Sequence, residues 1–260
     1  VNPSTPSLKF VCNTPLGALV TGPKKKREDK YCKDIILADQ DPTLEQDPLR
    51  ASYVRSLPKA QLYKGVLLLG LFVHPSILMG LDDFEARDDD VFIITYPKSG
   101  TTWIEELVSL IYNDGDTSKV KKEMLKHRVR HLEFDRTIDH PQRLRQVKSP
   151  RLLATHLPLP LIPKSLRQGK CKIIYVARNP KDNAVSYYHF HRMTVLLGNY
   201  RGTWSDFLYL YMRGYRKYSS IYIFTLRIVD LNLRIRNLHP QRVLETSNIL
   251  STYHMVIGKK

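Results

Sequence analysis

Five consecutive residues, Lys98-Ser99-Gly100-Thr101-Thr102, place a lysine, a glycine and three hydroxyls between a strand pattern and a helix pattern. Upstream, Val91-Phe92-Ile93-Ile94 is a short apolar, largely β-branched run that reads as a buried strand. Downstream, Trp103, Leu107, Leu110 and Ile111 recur at helical spacing, and Thr101 or Thr102 can cap that helix. The first-turn N–H groups of a helix have no partner within it, and its dipole favours an anion there. Lys98 adds a full charge, and Gly100 lets the backbone come close. The chemistry this pattern suits is the binding of a phosphate group.

Two other residues fall just past strand ends in the same way. Arg178 follows the run Lys172-Ile173-Ile174-Tyr175-Val176, and Asn179-Pro180 ends that strand and opens a helix carrying Ser186. A guanidinium fork donates two parallel hydrogen bonds to a phosphate. His156, in Thr155-His156-Leu157-Pro158, is one of nine histidines, and its side chain is suited to taking a proton near neutral pH.

The elements that must position these groups alternate. Strands are expected at 91–96, 151–155 and 172–177, and helices at 101–113, 181–195 and 203–213. Such alternation implies an α/β fold with a parallel central sheet flanked by helices, and ligands at the carboxyl ends of the strands.

The loop is not a Walker A motif, because Lys98 precedes Gly100 and no earlier glycine stands at the required distance. The run Tyr96-Pro97-Lys98-Ser99-Gly100-Thr101-Thr102-Trp103 instead resembles the 5′-phosphosulfate loop of the cytosolic sulfotransferases. The segment from Lys172 to Tyr188 resembles their 3′-phosphate element, and Ser149 to Pro158 resembles the stretch around their catalytic histidine. Asp83 to Asp90 also looks like the family. The likeness covers roughly Tyr63 to Ser220, with order and spacing of the motifs matching.

The resemblance implies a P-loop-like three-layer fold and transfer of a sulfuryl group from 3′-phosphoadenosine 5′-phosphosulfate to a hydroxyl or amine. It assigns His156 as general base and Lys98 to the bridging oxygen of the leaving group. Ser99, Gly100, Thr101 and Thr102 would cradle the 5′-phosphate, and Arg178 and Ser186 would bind the 3′-phosphate. Trp103 matches a position that stacks on adenine; its helical spacing alone fits a core tryptophan equally well. No metal is implied. The acceptor would be a small phenol, alcohol or amine in an apolar pocket, with His131, Leu132, Phe134 and Tyr188 as candidate contributors.

There are departures. Ala154 stands where many family members have lysine two residues before the histidine. Beyond Ser220 the family's Tyr-Glu-Asp strand and its Arg-Lys-Gly and Gly-Asp-Trp-Lys region find no match. Ile221 to Leu238 mixes apolar residues with Arg227, Arg234 and Arg236, and reads as a divergent or truncated end that leaves sheet edge and apolar surface uncovered. The family's dimerisation segment falls in that part, so oligomeric state stays open.

The chain has 260 residues and a formal charge of +16. That length is ample for a core, and the charge suits polyanionic ligands, including nucleic acid or an acidic membrane surface. Lys24 to Arg27 reads as a solvated basic run rather than a nucleic-acid patch. Cys12, Cys32 and Cys171 give neither a disulfide framework nor a zinc pattern, and Cys171 is expected in the core. Gly65 to Val73 is apolar but too short to cross a bilayer, and is expected to be a core helix or packed segment. With no anchor visible, the resemblance implies the cytoplasmic branch of the family. Residues 1–55 read as a flexible lead, 56–220 as the sulfotransferase domain and 221–260 as a divergent basic tail.

An active sulfotransferase is the first expectation. A nucleotide-binding remnant unable to turn over is the alternative, and a basic nucleic-acid-associated protein is a third reading favoured only by charge.

Overall fold

The computed structural model describes residues 34–134, 140–198, 200–215 and 253–258. In chain order its main elements are β1 (Ile35–Leu37), α1 (Pro48–Ser56), β2 (Ala60–Tyr63), β3 (Val66–Leu69), α2 (Pro75–Gly80), β4 (Val91–Thr95) and α3 (Thr101–Ile111). There follow β5 (Arg130–His131), α4 (His140–Gln146), β6 (Leu152–Thr155), β7 (Lys172–Arg178), α5 (Pro180–Met193), α6 (Trp204–Met212) and β8 (Tyr253–Gly258).

The central sheet runs β5-β6-β4-β7-β8. Its first four strands are parallel, and β8 is antiparallel to β7. All five residues of β4 are buried, as a central parallel strand requires. Alternate residues of β4 go to opposite faces. Val91 and Ile93 join Ala154 and Val176 in a cluster with Ile104 and Val108 of α3. Phe92 and Ile94 join Leu153, Ile173 and Tyr175 in a larger cluster with Ala184 and Tyr187 of α5 and Phe207 of α6. Helices on both faces make the architecture three-layered, as expected.

Register brings the strand ends together. Ile94 pairs with Thr155 and Thr95 with Val176. The loop after β4, His156 after β6 and the last residue of β7, Arg178, therefore meet at one edge of the sheet.

Two expectations need correction, and one pair of readings is decided. Residues 34–55 are not part of a flexible lead: Ala38, Leu44, Ala51, Tyr53 and Val54 are buried in the larger cluster. A three-residue strand and single 3-10 turns are too short to show periodicity. Asp47-Pro48 was the available signal, since the Asp47 carboxylate accepts from the Leu49 and Arg50 N–H groups with proline at the first helical position. Residues 1–33 lie outside the described residues.

Of the two readings for Gly65 to Val73, a core helix or a packed segment, the structure has the packed segment. It opens with a two-residue hairpin turn, Lys64-Gly65, both at positive φ, and continues as β3 against β2. The tail, too, does not leave β7 uncovered, because residues 253–258 pair along it from Ile173 to Arg178. The stretch Ile221 to Leu238 lies outside the described residues. Cys171 is buried, and that burial pushes its thiol pKa up to about 12. Among the described residues, no helix is long and apolar enough to cross a membrane.

Candidate active site

A cavity of about 640 Å³ opens at the carboxyl ends of β4, β6 and β7. It is lined by Lys98, Gly100, Thr101, Thr102, Trp103, His156, Arg178 and Ser186. All of these were expected at a site. Ser99 was expected there too, but it lies fully buried behind the loop. Its hydroxyl accepts from the Asn183 side-chain amide at 3.1 Å, so it braces the loop instead of facing a ligand.

The loop is strained into shape. Lys98 has φ 67° and Gly100 φ 93°, and the Ser99 N–H donates to the Tyr96 carbonyl at 3.1 Å. Left-handed backbone at a lysine is uncommon and is held by the surroundings. Asn183 supplies much of that hold: its amide also donates to the Pro97 carbonyl at 2.9 Å, and its oxygen accepts from the Tyr211 hydroxyl at 3.0 Å. Arg178 donates to the Lys98 carbonyl at 3.0 Å. The Lys98 ammonium lies 4.4 Å from the Phe190 ring centroid. Burial, and then the Arg178 charge, hold the Lys98 pKa below the ordinary lysine value. Two cations in a partly buried cleft, beside a helix N-terminus, make a site for an anion with several negative charges.

His156 is buried, and its Nδ1 lies 2.8 Å from the Thr95 carbonyl and 3.1 Å from the Thr95 hydroxyl. A carbonyl only accepts, so Nδ1 carries the hydrogen, and the neutral ring keeps its lone pair on Nε2. Thr95 and Thr101 share a further hydroxyl contact at 2.7 Å, which ties the histidine to the first residue of α3. The Glu133 carboxylate fixes the backbone here. It accepts from the His156 N–H and the Thr155 hydroxyl, both at 2.7 Å.

Trp103 is 50% exposed and lines the cavity mouth, which excludes the core-tryptophan reading. The opposite wall is aromatic: Phe72, Phe134, Tyr187 and Phe190. Of the residues expected around an acceptor, His131 and Phe134 line the cavity. Leu132 is buried in the core, and Tyr188 packs against Trp204 and Phe207 instead. On α5, Ser186, Tyr187 and Phe190 line the cavity, and Asn183, one turn earlier on the same side, is buried against the loop, so it is Tyr187 and not Tyr188 that faces the cavity. That spacing was a usable signal for Asn183 and Tyr187. Nothing in the sequence singled out Thr95, Glu133 or Glu105. Ala154, where many relatives of the resembled family have lysine, is fully buried in the smaller apolar cluster. Among the described residues, no group of three or more His, Cys, Asp or Glu side chains is gathered to hold a metal ion.

At adjacent strand ends of a parallel sheet, a cationic loop, an arginine and a histidine oriented by Thr95 form an arrangement that can hold an anion beside a proton acceptor. The sulfotransferase domain model matches residues 88–232, which is more than half of the chain and extends past Ser220. The chain belongs to the sulfotransferase family. Bovine (Bos taurus) sulfotransferase 1A1 is 46% identical over 169 residues, covering 64% of this chain and 56% of that protein. The rabbit (Oryctolagus cuniculus) amine sulfotransferase is 50% identical over 136 residues, covering 52% and 44%. A solved mouse sulfotransferase, SULT7A1, complexed with PAP, is 32% identical with a TM-score of 0.56, covering 66% of this chain and 57% of that one. The chain spans about half the length of the curated relatives it matches.

Proposed function

We propose that this chain transfers a sulfuryl group from 3′-phosphoadenosine 5′-phosphosulfate to a hydroxyl or amine of a small-molecule acceptor. The observation that carries this reading is the tautomer of His156, its Nδ1–H held by Thr95 at the edge of a cavity that also holds Lys98 and Arg178. The acceptor oxygen or nitrogen attacks sulfur in line, and the bond from sulfur to the 5′-phosphate oxygen breaks. The acceptor proton passes to His156 Nε2, and Lys98 meets the negative charge on the departing oxygen. Positioning and fixed charge account for most of such a step. Thr101, Thr102 and the backbone at Gly100 receive the 5′-phosphate. Arg178 and Ser186 receive the 3′-phosphate, and Trp103 covers the adenine. The structure of a relative bound to PAP supports the choice of donor. A cytoplasmic setting goes with this reading.

The test is calorimetric titration of the full chain with adenosine 3′,5′-bisphosphate, beside Lys98→Ala and Arg178→Ala. Each variant is expected to weaken binding roughly tenfold to a hundredfold, as loss of a charged hydrogen bond does. Sulfuryl transfer from labelled donor to a panel of phenols, alcohols and amines then follows. A folded chain that does not bind overturns the reading, and binding without transfer to any acceptor reduces it to a nucleotide-binding remnant.

A further inference from the structure

Glu105 is the one carboxylate among the described residues that line the cavity. It is buried on the inner face of α3, 5% exposed, and accepts from His131 Nε2–H at 2.7 Å. The His131 ring stacks on Phe134 with centroids 4.8 Å apart, and stands 5.5 Å from the His156 ring. A cavity built for a polyanionic donor gains nothing from a buried acid, which repels that donor and is expensive to desolvate. A carboxylate offers about four lone-pair sites, and His131 is the one partner the described residues give it. Phe134 and Phe72 line the same cavity, with ring centroids 6.0 Å apart. Carboxylate plus aromatic walls is the chemistry that recognises an ammonium group.

The geometry points to Glu105 as the residue that selects an amine-bearing acceptor, the ammonium at Glu105 and the nucleophilic hydroxyl toward His156. This assignment rests on the sulfuryl-transfer reading, and it names the acceptor class of that same site. His131 acts as a positioning residue. It holds the carboxylate in place through Nε2–H.

Three matched phenols test it: tyramine, 4-ethylphenol and 3-(4-hydroxyphenyl)propionate. Each is titrated calorimetrically into the full chain, with and without saturating adenosine 3′,5′-bisphosphate. The wild-type protein is expected to bind tyramine at least about tenfold more tightly than 4-ethylphenol, and the propionate most weakly. Glu105→Gln keeps the shape and removes the charge, so the amine preference is expected to disappear. His131→Phe keeps the carboxylate but removes the hydrogen bond that positions it, and is expected to reduce the amine preference without abolishing it. Wild-type affinity of Glu105→Gln for adenosine 3′,5′-bisphosphate separates lost recognition from a folding defect in that variant. Equal affinities in the wild-type protein, a preference unchanged in Glu105→Gln, or no phenol binding at all overturns the assignment. Loss of bisphosphate binding alone, with the amine preference intact, sinks the sulfuryl-transfer reading and leaves the ammonium site standing.

Discussion

His156 and Thr95 meet at both groups that Thr95 offers: Nδ1 lies 2.8 Å from the carbonyl and 3.1 Å from the hydroxyl. One strand thus sets the tautomer of a histidine on the next. Asparagine at 156 can still donate an amide N–H toward the Thr95 carbonyl, but it has no basic nitrogen. In His156→Asn, kcat is expected to fall by about 10²- to 10⁴-fold, the span for losing a general base. Binding of adenosine 3′,5′-bisphosphate should stay close to wild type. Single-turnover transfer beside calorimetry checks both, and a parallel loss of binding would mean that His156 is structural.

Lys98 gives a pH dependence with a definite sign. Burial and the Arg178 charge lower its pKa from the ordinary 10.5. Anion binding uses the protonated form. Affinity is therefore full below the lowered pKa and is lost as pH rises through it, in a window that opens below 10.5. Folding stability moves the other way: the unfolded chain binds the extra proton there, so stability rises with pH across the same window. Lys98→Arg, charged throughout, is expected to flatten the binding profile. Titrations of both proteins from neutral pH upward, with circular dichroism as the folding check, measure this.

Much of the cavity lining was legible because its loop is a local feature. A strand, a turn with Lys98 and Gly100 and a helix start are contiguous, and each leaves a periodic or positional mark in the sequence. The three central strands and three main helices were readable for the same reason. What could not be read is what acts across the sheet. Thr95 orients His156 through a backbone carbonyl, which has no sequence signature. Asn183 and Tyr211 brace the loop from two helices far along the chain. Glu133 and Glu105 act through pairs more than twenty residues apart. The β1-β2-β3 sheet was missed because its strands have three or four residues each.

Arg151 and Asp90 form a fully buried pair at the start of β6 and β4. Arg151 Nε donates to Asp90 Oδ1 at 2.8 Å, and its NH2 group donates to Asp90 Oδ2 at 2.5 Å and to the Glu85 carbonyl at 2.9 Å. The Arg87 N–H also donates to Asp90, at 2.7 Å. Arg151→Ala leaves a buried carboxylate without its cation and is expected to lower stability by about 3–5 kcal/mol. The double variant Arg151→Met with Asp90→Leu removes both charges and should lose less. Urea unfolding of the two variants ranks them, and the opposite ranking would show that the pair itself carries net stability.

Gly198 seats one wall of the cavity. It follows Leu197, which with Thr194 lines the pocket, and has φ +84°. A Cβ at this position would lie 2.0 Å from the Ser56 carbonyl oxygen at the end of α1, a backbone atom that cannot swing aside. Gly65, in the hairpin turn, has a similar φ of +75° but open space around it. Gly65→Ala therefore measures the left-handed backbone alone, about 1–2 kcal/mol. Gly198→Ala adds a collision and is expected to exceed it clearly. At about 2–4 °C of melting temperature per kcal/mol for a domain of this size, the two should separate in a thermal scan. Gly198→Ala should also weaken binding of acceptor phenols, because relieving the collision moves Leu197 and Thr194. Equal melting temperatures for the two variants would mean that α1 yields at Ser56, and that residues 48–57 do not hold this wall in place.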